Sequence, residues 1–539
     1  MRKSRVKITK RPNCERCGKP MKSNGWGDNG KTRRWICKTS DGVVCATTRD
    51  PDGKLRTQRG ARQNKDRKNT PKPVVFGRAL GNVKRFLVTS AQNATKVHPE
   101  FLKTALAYCE ANNAELVVIP TRYKNPTSVW TESQANEEVW ADEVMPYLYN
   151  KRKKLCPNLI LMGDIKTQPT AIHPLTGFES ISHGESAIFG HAKRQLRCIP
   201  TPAHALPKIL ATTGSCTVPN YTDSRAGKKA EFHHILGALA IEISGKKFHQ
   251  RQVTWDQKTS SFQDWDTRYY PNGDMVKEPI AALSLGDTHY RFMDPQVVEA
   301  TFGDNGIISQ LNPEWLIFHD LLDGYSRNPH HEGKGKNPFI EYAKRQVDFH
   351  LVEKEVRETI EFLDKIAQDR KCLVVPSNHD DFLRRWIVAS DWRNDVDNAE
   401  FYLETALAML RSTQMGTGGT EYQDPFTYWV EKLATSKNIK TLLMDESFML
   451  GSIEHGFHGH RGPNGARGNI KNLSKLGSKV TIGHSHTPGI EGGAYQNGTS
   501  SYLRQEYTEG PGSWLHTHTM QYRDGKRSHV NIIEGECKL

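Results

Sequence analysis

The sequence predicts an α/β protein, and three observations carry that prediction. Apolar stretches that read as strands alternate with a helical stretch between residues 84 and 164. Within residues 278–539 a series of short apolar runs each ends in Asp, Asn or His. A basic segment with closely spaced cysteines precedes both regions.

At 539 residues the chain is long enough for about three folded units. Its 36% hydrophobic content suffices for sizeable cores, and no apolar run approaches the roughly 18 residues of a membrane span. The opening "MRKSRVKITKRPNC" lacks the apolar stretch of a secretion signal, which gives the expectation of a soluble, cytoplasmic protein without a membrane partner. Ten cysteines in such a length do not form a secreted disulfide framework. Charge is uneven. Residues 1–85 hold 25 Lys and Arg against 6 Asp and Glu, or +19, while the remainder holds 50 against 54. A basic module on a nearly neutral body points to an anionic polymer, with nucleic acid first, and no amphipathic apolar face accompanies the charge to suggest a membrane surface.

Four domains are expected in chain order. Residues 1–48 contain Cys14 and Cys17 in a CxxC knuckle, then Cys37 after the strand-like "RRWIC", then Cys45. Four thiolates can close a tetrahedral zinc site and so fold a segment too small for its own core. The pattern resembles the zinc ribbons of transposases and phage DNA-binding proteins, except that seven residues separate the second pair. Residues 49–83 are polar, basic and end in prolines, as a flexible linker does; contacts from it to phosphates would be salt-sensitive and indifferent to base sequence.

Residues 84–277 read as an α/β domain: "RFLVTS", a helix over "PEFLKTALAYCEANN", then "ELVVIP" and "NLILMGD". Asp164 and the histidines at 173, 183, 191, 204, 233 and 234 follow no spacing that completes a site, and most of them are read as structural polar residues.

Residues 278–539 carry the chemistry. "PIAALSLGDTHY" is a buried strand running into Asp287 and His289; "EWLIFHDLLDG" runs into Asp320 and Asp323. Helical spacing of Val352, Val356, Ile360, Leu363 and Ala367 predicts a long amphipathic helix. "KCLVVPSNHDDF" then releases Asn378, His379 and Asp380; "EHGFHGHRGPNGARG" offers His455, His458 and His460; "KVTIGHSHTP" ends in His484 and His486. In open α/β sheets the crevice lies at the carboxyl ends of the strands, where each group sits.

The order D-x-H, D-x-x-D, N-H-D, H, G-H-x-H resembles the calcineurin-like metallophosphoesterases, and within them the SbcD-type DNA repair exonucleases and phage-encoded relatives. The resemblance implies two sheets sandwiched between helices. It implies that Asp287, His289 and His486 hold one metal ion, that Asn378, His458 and His484 hold a second, and that Asp320 bridges them. His458 is chosen over His455 and His460 because the "HGH" it starts resembles the family's pattern. His379 would be the catalytic imidazole beside the leaving oxygen. Two such cations, with manganese first and iron or zinc as alternatives, would activate water against phosphorus. Arg461, Arg467 and Asp323 are candidate contacts to phosphate or DNA. His319 and Ser377 stand where the family usually has glycine.

The expectation is therefore a manganese-dependent DNA nuclease, phage-encoded, acting in the host cytoplasm on DNA and working as a homo-oligomer. A phosphatase or phosphodiesterase of small substrates, and a DNA-binding or assembly protein with an inert metal site, are the alternatives.

Overall fold

The computed structural model describes residues 13–14, 17–26, 33–38, 44–46, 80–81, 83–123, 139–331, 336–505 and 508–538, with the side chains of 24–26, 33–34 and 44–46 left aside. The chain divides into two compact units, Met1–Val74 and Val75–Leu539. Nearly all of the expected 49–83 linker lies outside the described residues.

In the first unit, strands Lys22–Trp26, Arg33–Lys38 and Val44–Ala46 form an antiparallel sheet. Cys14, Met21, Trp35 and Cys37 are its buried cluster. One methionine and one tryptophan are a very small apolar core, and a segment of this size ordinarily needs a metal or disulfides as well.

The second unit is mixed α/β, as expected. Strand Arg85–Gln92 runs parallel to Ala114–Thr121, and helix Pro99–Ala111 crosses between them. Pro99 suits the first helical turn, His98 caps it by accepting from the Phe101 amide, and Phe101, Leu102, Ala105, Tyr108 and Cys109 form the stripe the helix buries. With Gly237–Ser244 and Lys247–Thr254 these strands complete a four-stranded sheet.

Two larger sheets carry the candidate residues. A six-stranded sheet has the order Ile439–Thr441, Lys371–Val374, Trp315–Phe318, Ala282–Ser284, Thr517–Gln521, Arg527–Asn531. Its first four strands are parallel, so their carboxyl ends share one edge. Helix Val352–Ala367 buries Val352, Val356, Ile360, Leu363 and Ala367 in the core against this sheet. The helix is shorter than the amphipathic segment suggests, because Asp348 at φ 57° breaks it from a separate helix, Pro338–Gln346.

A ten-stranded sheet has the order Met449–Leu450, Ile453–Glu454, Lys479–Ile482, Ala494–Gln496, Gly489–Glu491, Gln195–Ile199, Lys208–Thr212, Ser186–Phe189, Leu159–Met162, Arg152–Cys156. Polar side chains tie the two sheets: Arg527 donates to the Val480 carbonyl, and Gln521 bonds His455 and the Leu450 carbonyl.

The ten-stranded sheet crosses the boundary drawn at 277/278. Gly489, Ile490 and Glu491 pair antiparallel with Arg197, Leu196 and Gln195. The middle segment thus extends a sheet of the C-terminal segment, and both lie in one compact unit. Among the described residues no helix is long and apolar enough to cross a membrane.

Candidate metal centre

The residues singled out in the C-terminal segment converge at the edge where the parallel strands end. Backbone pairing continues past the strands to bring them together: the Thr288 and His289 amides donate to the His319 and Asp320 carbonyls at 2.8 and 2.7 Å. The Gly483 amide donates to the His458 carbonyl at 2.7 Å, which joins the last two motifs.

The backbone itself is unusual here. His289, Asp320, His484 and His486 all have left-handed φ, at 45°, 44°, 74° and 55°. Each such residue without glycine's freedom costs on the order of 1 kcal/mol or more, and the conformation persists only where surroundings impose it. Glycine is required beside them. A Cβ on Gly483 would lie 2.1 Å from the Asp287 carboxylate.

Three clusters of donor atoms lie within 4.8 Å of one another: His289, Asp320 and His486; Asp287, Asp320 and His458; and His289, Asp323 and His379. His289 Nε2 is 3.0 Å from His486 Nε2 and 3.6 Å from Asp320 Oδ2. His458 Nε2 is 3.1 Å from Asp320 Oδ2, and His486 Nε2 is 3.2 Å from Asp287 Oδ2. Asp320 therefore stands between the two groups. The His484 ring stands 5.3 Å from that of His458 and enters none of the three clusters. His460 packs 5.5 Å from His458, whereas His455 turns away to bond Gln521.

These atoms fit cations. His289 donates from Nδ1 to the Asp323 carboxylate at 2.8 Å, so its neutral form presents a lone pair at Nε2 toward the other donors. Both oxygens of Asp287, Oδ1 of Asp320, Oδ1 of Asn378 and Nε2 of His458 are buried without a hydrogen bond. Buried polar atoms rarely go unsatisfied. Lone-pair atoms buried this close together are suited to hold a cation.

The electrostatics say the same. Burial disfavours a charge on His289, but the Asp323 hydrogen bond and the Asp320 carboxylate outweigh it and raise the imidazole to about 9. Burial likewise opposes charge on Asp320, yet the imidazoles of His458 and His379 hold it well below the usual range. Burial and the neighbouring His458 instead push His484 down to about 4 and His460 to about 3, which leaves both as neutral ligand-type imidazoles.

Several supporting residues were not anticipated. Asp323, expected as a contact to phosphate or DNA, is buried with its carboxylate on His289, and its carbonyl accepts from His379 Nδ1 at 2.7 Å. The next three amides, of Gly324, Tyr325 and Ser326, are collected by the buried Glu355 carboxylate from helix Val352–Ala367. Ser377 Oγ accepts from the His379 and Asp380 amides and donates to Asp380 Oδ2, so the serine that replaces glycine braces the Asn378 loop. The other departure, His319, is buried against Ser284 and neutral. His518 accepts from the Gly286 amide and bonds Thr301, fixing the turn before Asp287. The spacing of side chains past a strand end does not reveal such second partners.

Arg461 and Arg467 are exposed and face each other across a short bridge. Arg461 also lines a cavity of about 710 Å³ beside Ser377 and Asp380. In the middle segment, His191 and His234 are hydrogen-bonded within the fold and Asp164 pairs with Arg152, as structural residues do. In the first unit, Cys14, Cys17 and Cys37 gather their sulfurs within 4.8 Å, with Cys17 and Cys37 3.4 Å apart. The Cys45 side chain lies outside the described residues, although its strand pairs with that of Cys37.

Protein A1 of Escherichia phage T5 is 31% identical to the chain over 469 residues, which cover 84% of this chain and 82% of that protein. The chain belongs to the family of Protein A1. The matched span is longer than residues 278–539 can supply, so the likeness to Protein A1 reaches into the middle segment that extends the sheet. No protein-family model matches the chain.

Proposed function

We propose that this protein is a metal-dependent DNA nuclease with two divalent cations, manganese foremost. The observation that carries the reading is the clustering of Asp287, His289, Asp320, His458 and His486, together with buried, unbonded ligand atoms on Asp287, Asp320, Asn378 and His458. Carboxylate, imidazole and amide donors suit manganese, iron or zinc better than calcium. When bound, the cations supply Lewis acidity for hydrolysis at phosphorus. The metallophosphoesterase resemblance of the motif order supports the same reading.

The chain's own groups then have defined tasks. Asp287, His289 and His486 would hold one cation, Asn378, His458 and His484 would hold the other, and Asp320 would serve both. His379 donates Nδ1–H to the Asp323 carbonyl, which leaves Nε2 to carry the proton that the departing alkoxide needs. Asp323 orients His289 and stands beside His379. Cys14, Cys17 and Cys37, with Cys45, would hold a structural zinc ion.

DNA as the substrate follows from the +19 charge of residues 1–85, an anchor that a small phosphate ester does not need. Kinship with a phage protein supports a phage enzyme acting on DNA in the host cytoplasm, and self-association is part of the proposal. The test is incubation of the pure protein with linear duplex, circular duplex, single strands and a chromogenic phosphodiester, in manganese or EDTA. DNA cleavage only with metal is expected, along with DNA binding that weakens steeply as salt rises. Turnover of the small ester alone would favour a phosphatase, and binding without any turnover would favour an inert assembly protein. His379→Ala is expected to abolish cleavage while metal content and DNA binding persist.

A further inference from the structure

Beside His379 and Asp323 opens a cavity of about 450 Å³ that no step above uses. Three aromatic rings line it. Phe292 and Tyr325 are half-buried and meet edge to face at 4.8 Å, and Tyr502 is 44% exposed. The two chain segments that supply the walls are tied together, because the Tyr502 amide donates to the Phe292 carbonyl at 2.9 Å. Lys344 Nζ lies 4.9 Å from the Tyr325 ring centre and helps to fix that ring. Asn328, Arg504 and Gln505 add polar groups to the lining, and Arg504 is held in place by the Gly510 carbonyl at 2.8 Å.

The combination is specific in its chemistry. Flat aromatic walls favour a flat π-system, and amide and guanidinium groups favour a ligand with ring nitrogens and carbonyl oxygens or an attached phosphate. The volume is that of a small-molecule site. Its position is decisive, since the lining includes the imidazole assigned to the leaving oxygen. Whatever enters lies beside that imidazole.

We propose that this cavity receives an unpaired nucleobase, that of the nucleotide on the leaving side of the scissile phosphate. The proposal rests on the nuclease reading and adds its substrate class. A base inside a duplex is stacked on both faces and cannot enter a walled cavity without being unpaired and swung out. The favoured substrates are therefore single strands and frayed ends, with stacking on Tyr502 and its neighbours giving affinity indifferent to base identity.

A dinucleotide has one phosphodiester, which makes the test unambiguous. Thymidylyl-thymidine is compared with its two analogues in which one residue or the other is abasic, using the full-length protein in manganese. Removal of one of the two bases is expected to lower the cleavage rate about tenfold, and removal of the other is expected to matter little. Tyr502→Ala should reduce that preference to within about twofold, whereas Tyr502→Phe should keep it. Equal cleavage of all three by the wild type, or an undiminished preference in Tyr502→Ala, overturns the proposal. If none is cleaved although the fold is intact by circular dichroism, single-stranded DNA is offered in the same buffer, and only failure to cleave that as well sinks the nuclease reading. The cavity is then judged by binding of fluorescein-labelled tetrathymidylate and its abasic counterpart in EDTA, where equal affinity overturns it.

Discussion

The Nε2 atoms of His289 and His486 stand 3.0 Å apart, contributed by strand ends nearly two hundred residues distant in the chain. His289 Nδ1 is committed to Asp323, so the 3.0 Å approach of the two Nε2 atoms is held by a shared proton in the metal-free protein and, on the proposed reading, by a cation in its place. Full-length protein should bind two manganese ions per chain, and saturating metal should raise the melting temperature by several degrees. His486→Ala should lose one ion, and Asp320→Ala should lose both, because its carboxylate stands between the two groups. Elemental analysis after dialysis, with calorimetry of the same samples, measures this. Metal content unchanged in Asp320→Ala would contradict the arrangement.

Asp323 touches both imidazoles that matter, His289 through its carboxylate and His379 through its carbonyl. Asp323→Asn keeps size and hydrogen-bonding capacity but removes the charge that raises His289. Outer carboxylates of this kind are typically worth 10–100-fold in metal affinity or activity. A loss in that range is expected, with little change in melting temperature of the metal-free protein. An unaltered rate would mean that Asp323 only fills space.

Gly483 has no room for a side chain, since its Cβ would meet Asp287 Oδ1 at 2.1 Å and the His319 Cβ at 3.1 Å. Gly483→Ala should displace the Asp287 carboxylate and cost about 100-fold in turnover, the scale expected of a displacement near 1 Å. Gly492→Ala is a suitable control. That glycine has open space around it, so any cost there comes from its left-handed φ of 57° and should fall on stability, not on turnover.

Acid should destabilise the fold well before carboxylates titrate. Burial pushes His191, His234 and His529 down to about 4 each, below the 6.5 of an exposed imidazole. Between those values the unfolded chain binds more protons than the folded one. Their contribution to stability is therefore complete above about pH 6.5 and declines as pH falls toward 4, at roughly 1 kcal/mol per histidine per pH unit. Urea midpoints of metal-free protein measured from pH 6.5 to 5, where His289 is charged in both the folded and the unfolded chain for most of the range, should fall monotonically. His191→Gln, which titrates no proton, should flatten the dependence.

Much of the centre was legible in the sequence because its ligands follow strands. An apolar run that ends in Asp-x-His or Asn-His announces both the strand and the group it delivers, and Ala282–Ser284, Trp315–Phe318, Lys371–Val374 and Lys479–Ile482 form where those runs lie. Partners that depend on three-dimensional closure were not legible. Nothing local indicates that Glu355, on the buried stripe of a helix, collects the amides of residues 324–326. The turn of the Asp323 carboxylate toward His289 was hidden too, because spacing gives no direction to a side chain in a loop. The pairing of Gly489–Glu491 with Gln195–Ile199 was equally hidden. Three-residue registers carry too little periodicity to reveal a partner so far away.

That pairing sets the order in which the molecule can mature. Gln195 and Lys193 wait for Glu491 to complete their buried polar contacts, and Glu491 is synthesised 296 and 298 residues after them. Long-range closures of this kind come late in folding. The edge at His484 and His486 is therefore assembled only after the strand that carries Glu491 has joined the sheet begun by Gln195.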